Sequence, residues 1–112
     1  MKLASYVSGS WVEGSDEGTA LIDPVSGAEL ARASTTGVDI ATALDHARQK
    51  GGASLRAMSF AERAGLIKGI ADTLTANRDS YFETALANSG NTKVDAMIDI
   101  DGGIGTLKFF AH

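Results

Sequence analysis

The sequence predicts a mixed chain in which N-terminal β-hairpins are followed by about four α-helices. Three observations predict it. Short apolar runs separated by glycine-bearing turns fill residues 3–33. After about Val38 the apolar spacing becomes helical. Ser59-Phe60-Ala61-Glu62 is a capping box that opens a long apolar stripe.

Each element has its own signal. Leu3 to Val7 and Ser10 to Glu13 flank Ser8-Gly9, where Gly9 can supply the positive φ of a tight turn. Gly14-Ser15-Asp16-Glu17-Gly18 is polar and glycine-flanked, hence a loop. Thr19–Ile22 and Glu29–Ala33 flank Asp23-Pro24-Val25-Ser26-Gly27. Asp then Pro suits the first two positions of a type I turn, and Gly27 can take the left-handed position that closes a bulged hairpin. Tyr6 and Trp11 are expected on strand positions that pack against helices.

A first helix is expected over about 38–50 from Ile40, Ala43, Leu44 and Ala47, with Gly51-Gly52 ending it. A second, over 59–76, carries the stripe Leu66, Ile67, Ile70, Ala71 and Leu74. Asn77 is expected to end it and to cap a third helix, 78–89, which runs to Gly90. Thr92-Lys93-Val94-Asp95 resembles another capping box, with the shorter Asp in place of Glu. The segment after it, 93–111, is apolar but interrupted by Gly102, Gly103 and Gly105, and propensity alone breaks a helix there. No Gly, Asn or Pro stop follows Phe110, so the ending is expected to be a cut through an element.

Composition removes several function classes. The net charge is −4 and no basic block or stripe exists, which disfavours nucleic acid and anionic membrane surfaces as partners. No apolar run approaches the roughly 20 residues that span a bilayer. The first residues lack the apolar core of a secretory signal, and the absence of cysteine makes cytoplasm the default expectation. With 0 cysteines, the chain offers no disulfide, thiolate metal site or thiol nucleophile.

Clusters that could carry chemistry have plainer readings. Asp95, Asp99 and Asp101 fail the spacing of a calcium loop, and Asp95 with Asp99 reads as a solvated or locally paired face. Gly103-Ile104-Gly105 begins like a dinucleotide fingerprint, but Lys108 stands where the third glycine belongs and what precedes looks helical. His46, beside Asp45 and Arg48, reads as a surface histidine, and Glu62 as a cap. No pair assembles a nucleophile, base and oxyanion site. No catalytic residue, cofactor-binding residue or metal ligand is therefore expected within the chain. The residues alone describe an α+β domain of unassigned role.

The order of the motifs resembles the start of the aldehyde dehydrogenase superfamily. Four stretches carry the resemblance: Tyr6-Val7-Ser8-Gly9-Ser10-Trp11, Asp23-Pro24-Val25-Ser26-Gly27-Ala28-Glu29, the helix Val38–Lys50, and Ser59-Phe60-Ala61-Glu62-Arg63-Ala64. Within that family, the stretches at 3–11, 53–64 and 99–107 are similar to the bifunctional dehydrogenases of bacterial phenylacetate degradation, which join a semialdehyde dehydrogenase to a ring-opening hydratase-like domain. The dehydrogenases of aerobic benzoyl-CoA breakdown are a close alternative.

The resemblance implies an α/β fold of the aldehyde dehydrogenase type. It implies that this chain is the first part of the cofactor-binding domain, and that the parent enzyme oxidises a semialdehyde, CoA-linked by the narrower match, with NADP or NAD. NADP is slightly favoured. The family's cysteine thiolate attacks the aldehyde, hydride passes to nicotinamide, and a glutamate activates water. Those residues lie further along in family members, so the chain alone is expected to be inactive and to bind no cofactor. The resemblance also implies one long helix through Gly102-Gly103-Ile104-Gly105, bordering the substrate tunnel. Close approach of a packed neighbour is the simpler reason for these glycines. Room for a bulky acyl-CoA semialdehyde, with Gly102 and Gly103 lining the tunnel, is the functional one. The partners implied are the rest of the dehydrogenase chain or another copy, in a homo-oligomer. A self-contained small α+β binding module, or a split enzyme completed by another chain, are the alternatives.

Overall fold

A computed structural model describes all residues, Met1–His112. The chain divides into two compact units, Met1–Ala57 and Met58–His112.

In the first unit, β1 (Lys2–Val7) and β2 (Ser10–Glu13) form an antiparallel hairpin with Val7 opposite Ser10. The two-residue turn has φ of 51° at Ser8 and 87° at Gly9. Both central residues are thus left-handed, which matches the twist of the flanking strands. In the second hairpin β3 (Thr19–Ile22) pairs with β4 (Glu29–Ala33), with a register shift at Leu21/Ile22. The Asp23 carboxylate accepts the amides of Val25 at 2.8 Å and Ser26 at 3.2 Å, and Gly27 adopts φ 74°. This is the turn that the Asp-Pro-Val-Ser-Gly run predicts.

What the local pattern leaves open is how the hairpins join. β1 runs parallel to β4, with Lys2 opposite Arg32 and Leu3 opposite Ala33, giving one four-stranded sheet in the order β2-β1-β4-β3. Polar contacts clamp the loop between the hairpins. The Lys2 ammonium donates to the carbonyls of Gly14 at 2.6 Å and Asp16 at 2.8 Å. The Arg32 guanidinium donates to Gly18 O at 3.1 Å and to both carboxylate oxygens of Glu29.

Tyr6 and Trp11 are not buried as their types suggest. They are 62% and 72% exposed and stack edge-to-face on each other, ring centres 5.1 Å apart, as a cross-strand pair.

The first helix also departs from expectation. α1 (Ile40–His46) starts at Asp39, whose carboxylate accepts the Thr42 amide at 2.9 Å. Gly51-Gly52 does not end the helical path. It continues through a π-helical stretch, Ala47–Gly52, into α2 (Ala53–Ala57). A glycine stops a helix by turning left-handed, and neither of these has a positive φ. The wider π turn carries the chain past them.

The second unit is three helices: α3 (Phe60–Ala76), α4 (Arg78–Ser89) and α5 (Lys93–Phe110). α3 begins with the reciprocal capping box: the Ser59 amide donates to Glu62 at 2.7 Å and the Glu62 amide to the Ser59 hydroxyl at 3.2 Å. Asn77 ends α3 but does not cap α4 with its side chain, which turns back to donate to Thr73 O at 2.9 Å. Gly90, at φ 66°, closes α4. At the start of α5, Thr92 accepts the Asp95 amide, but Asp95 reaches only the Thr92 hydroxyl, at 2.6 Å. Its side chain is one methylene shorter than the Glu of a full box.

α5 packs on both α3 and α4. The buried residues of this unit are Ala71, Phe82, Ala96 and Ile104. Of the expected α3 stripe, Ala71 is buried and Ile67 and Leu74 are half-buried, whereas Leu66 and Ile70 are exposed.

Two glycine substitutions should act oppositely in urea unfolding. A Cβ on Gly14 would lie 2.8 Å from Ser34 O, so Gly14→Ala should destabilise by about 1–3 kcal/mol. Gly69, within α3, faces open space, and Gly69→Ala should stabilise by about 1 kcal/mol. The cap gives a third test. Ser59→Ala should cost about 1 kcal/mol at neutral pH. The Ser59 amide and hydroxyl hold the Glu62 carboxyl below its ordinary 4.5. Its folded value is the lower one, so its contribution is complete above 4.5 and fades as pH falls through that lower value. The gap between Ser59→Ala and the parent chain should therefore narrow on acidification, as read by thermal melts at stepped pH.

Candidate functional site

The residues singled out by the sequence lie on α5. The helix runs unbroken through Gly102, Gly103 and Gly105. The Thr106 hydroxyl donates back to Gly102 O at 2.9 Å, a bond within the helix. A Cβ built on any of the three glycines meets nothing within 4 Å. Within these 112 residues, then, no neighbour approaches the three glycines closely.

Gly102 and Gly103 also do not form one surface. Successive helical residues point about 100° apart. Gly103 borders a recess of about 280 Å³ with Leu74, Tyr81, Ile100, Ile104 and Leu107. Gly102 is turned further round the axis, on the exposed side with Ile98 and Phe109.

Beside these glycines stands a feature that sequence reading missed. The Arg78 guanidinium grips the Asp101 carboxylate through two bonds, Nε to Oδ1 and Nη2 to Oδ2, each 2.6 Å. Arg78 also lies over the Phe82 ring, 4.6 Å from its centre, and reaches Asp79 at 3.6 Å. Arg78 holds the Asp101 carboxyl below its ordinary range, and Asp101 raises Arg78 in turn. The partners stand 23 residues apart, so no local spacing announces them.

The acidic residues are accounted for one by one. Asp95 belongs to the Thr92 cap, Asp101 to Arg78, and Asp99 sits at the recess that Gly103 borders. No group of three or more His, Asp or Glu side chains is placed to hold a metal ion. His46 is exposed at the end of α1.

A polar recess of about 510 Å³ lies in the first unit between Asp16–Thr19 and Ala33–Thr36. Its charged groups are satisfied internally. Asp16 accepts from the Thr36 hydroxyl at 2.7 Å, and bonding to Ser34 and Thr36 lowers its pKa. Glu17 meets Arg32 at 3.2 Å. This is a loop clamp, with no free group aimed at a ligand.

Gly103-Ile104-Gly105 does not fit the pyrophosphate of a dinucleotide. Pyrophosphate is held by free amides at a glycine turn leading into a helix N-terminus. Gly103-Ile104-Gly105 lies inside α5, where the amides are spent on the helix ladder.

Comparison with known proteins decides the family. Residues 11–112 match the model of the aldehyde dehydrogenase family. The chain belongs to the aldehyde dehydrogenase family. A 3,4-dehydroadipyl-CoA semialdehyde dehydrogenase of Aromatoleum evansii is 51% identical over 112 residues, covering 100% of this chain and 22% of that protein. A 2-hydroxymuconic semialdehyde dehydrogenase of Pseudomonas sp. (strain CF600) is 31% identical, covering 98% and 23%. The fold is similar to that of an NAD-dependent benzaldehyde dehydrogenase from Corynebacterium glutamicum, at a TM-score of 0.83 and 26% identity, over 96% of this chain and 24% of that one. The chain thus spans about a quarter or less of the length of these relatives.

Large apolar groups lie open in both units, among them Trp11 at 72%, Ile98 at 67% and Phe109 at 75% exposure. By itself the 112-residue chain should bind an anilinonaphthalene dye and self-associate with rising concentration. Dye fluorescence and light scattering read this, and a monomer that leaves the dye dark would contradict it.

Proposed function

We propose that this chain is the opening segment of the cofactor-binding domain of an NAD(P)-dependent dehydrogenase that oxidises a CoA-linked semialdehyde to the acid in aromatic-compound breakdown. The supporting observation is the 51% identity, over the whole chain, to a protein named as the dehydrogenase of a CoA-linked semialdehyde. The likeness to a 2-hydroxymuconic semialdehyde dehydrogenase supports the wider semialdehyde class. Assignment to phenylacetate breakdown in particular, and the slight preference for NADP, rest on the stretches at 3–11, 53–64 and 99–107.

In this reading the chain is scaffold. It holds 0 cysteines, so the thiol that adds to the aldehyde must come from elsewhere, and it offers no cradle for the nucleotide. Its exposed apolar faces are covered by the rest of the dehydrogenase chain or by another copy within a homo-oligomer. A cytoplasmic location belongs to the same reading, and no helix is long and apolar enough to cross a membrane.

Two measurements test the proposal. The 112-residue chain should give no aldehyde-dependent reduction of NAD or NADP, whereas an enzyme carrying it as its first segment should oxidise a CoA-linked semialdehyde. In that enzyme Gly102→Met should lower kcat/KM about tenfold for the CoA-linked aldehyde, a steric loss of roughly 1.4 kcal/mol, and less than about twofold for propanal. Equal losses would remove Gly102 from the substrate path. Gly103→Met, pointing about 100° away, serves as the comparison.

A further inference from the structure

The residue pattern of α5 does not tell the helix which way round to lie. An amphipathic helix orients itself by burying its one apolar face. α5 has apolar or small residues on opposite sides. Ala96, Ile100, Ile104 and Leu107 form the packed side. Val94, Ile98, Gly102, Gly105 and Phe109, at spacings of four, four, three and four, form a second stripe. That stripe is exposed: Val94 by 60%, Ile98 by 67% and Phe109 by 75%, against 0% for Ala96 and 6% for Ile104. Rotation by half a turn would exchange one apolar face for another, so burial alone discriminates poorly between the two.

We propose that the Arg78–Asp101 ion pair is the register device of α5, selecting which face meets α3 and α4 and which is turned outward. Asp101 sits on the seam, three residues from both Ile98 and Ile104 and hence about 60° from each around the helix. The guanidinium fork meets the carboxylate through two parallel bonds, so it fixes angle as well as distance. Arg78 cannot follow a rotating partner, because it is stacked on Phe82, itself only 8% exposed in the core of α4. No second ion pair competes, since Lys68–Asp72 lies within α3 and Arg78–Asp79 within α4. The Arg78 and Asp101 side chains are 34% and 43% exposed, so their attraction is screened and the pair contributes direction more than stability. A single polar contact that sets register at little gain in stability has precedent in helical assemblies. If the proposed dehydrogenase activity holds, Arg78 and Asp101 are positioning residues for Gly102 and Gly103. The inference itself rests on the helical unit alone, and its test does not use activity.

The absence of cysteine allows a direct readout by thiol accessibility. Ile98→Cys reports the outward face and Ile104→Cys the packed face, with Ala96→Cys as a second packed-face probe should Ile104→Cys not fold. Iodoacetamide labelling is followed at a concentration where light scattering reports monomer. In the parent background the outward cysteine should react at least about tenfold faster than the packed one. The double variant Arg78→Met with Asp101→Leu replaces the pair by apolar groups of similar size. It should keep its far-UV helicity yet lose the labelling contrast to within about twofold, as two registers become populated. The swap Arg78→Asp with Asp101→Arg should restore the contrast. An undiminished contrast in the Met/Leu variant overturns the proposal. So does contrast lost together with helicity, which makes the pair a matter of stability, and so does a helical swap variant that fails to restore it.

Discussion

The constraint that governs this chain is a shortage of burial. Seventeen large apolar side chains are exposed, while the buried apolar side chains are those of Ala31, Ala71, Phe82, Ala96 and Ile104, three of them alanines. Cores of that size release little apolar surface from water, since an alanine contributes one methyl group. Apolar packing therefore cannot by itself specify the arrangement within either unit, and polar contacts of defined geometry take over that task.

Each unit uses the same solution. In the sheet, Lys2 and Arg32, opposite each other in register, hold the Gly14–Gly18 loop by its carbonyls, and the Asp23 carboxylate closes the second hairpin. In the helices, Ser59–Glu62 and Thr92–Asp95 fix where α3 and α5 begin, and Arg78–Asp101 ties α4 to α5. None of these is a large energetic term. Their value is angular: each bond accepts a narrow range of directions, where an apolar contact accepts many.

The same shortage bears on function. A self-contained binding module would bury its apolar residues. This chain leaves Trp11, Phe60, Phe109 and Phe110 open, spans a quarter or less of its dehydrogenase relatives, and holds no thiol. In the proposed dehydrogenase its part is to present surfaces, those of α5 among them.

Local chemistry made much of this legible from sequence. Hairpin turns, caps and helix starts depend on residues within about five positions of one another, so Asp23-Pro24-Val25-Ser26-Gly27, Ser59–Glu62 and Gly90 could be read directly. The family was readable too, because those local motifs recur in a fixed order. Only the tertiary structure decided the parallel pairing of β1 with β4, the open faces of Tyr6 and Trp11, the π turn through Gly51-Gly52, and the grip of Arg78 on Asp101. The strand pairing and the ion pair join residues 23 or more positions apart. The exposure of the aromatics and the backbone choice at the glycines depend on what surrounds them. No neighbouring residue type encodes either kind of fact. Propensity favoured a break at Gly102-Gly103, and the intact helix shows that a glycine's conformational freedom is permission to turn, which its surroundings need not take up.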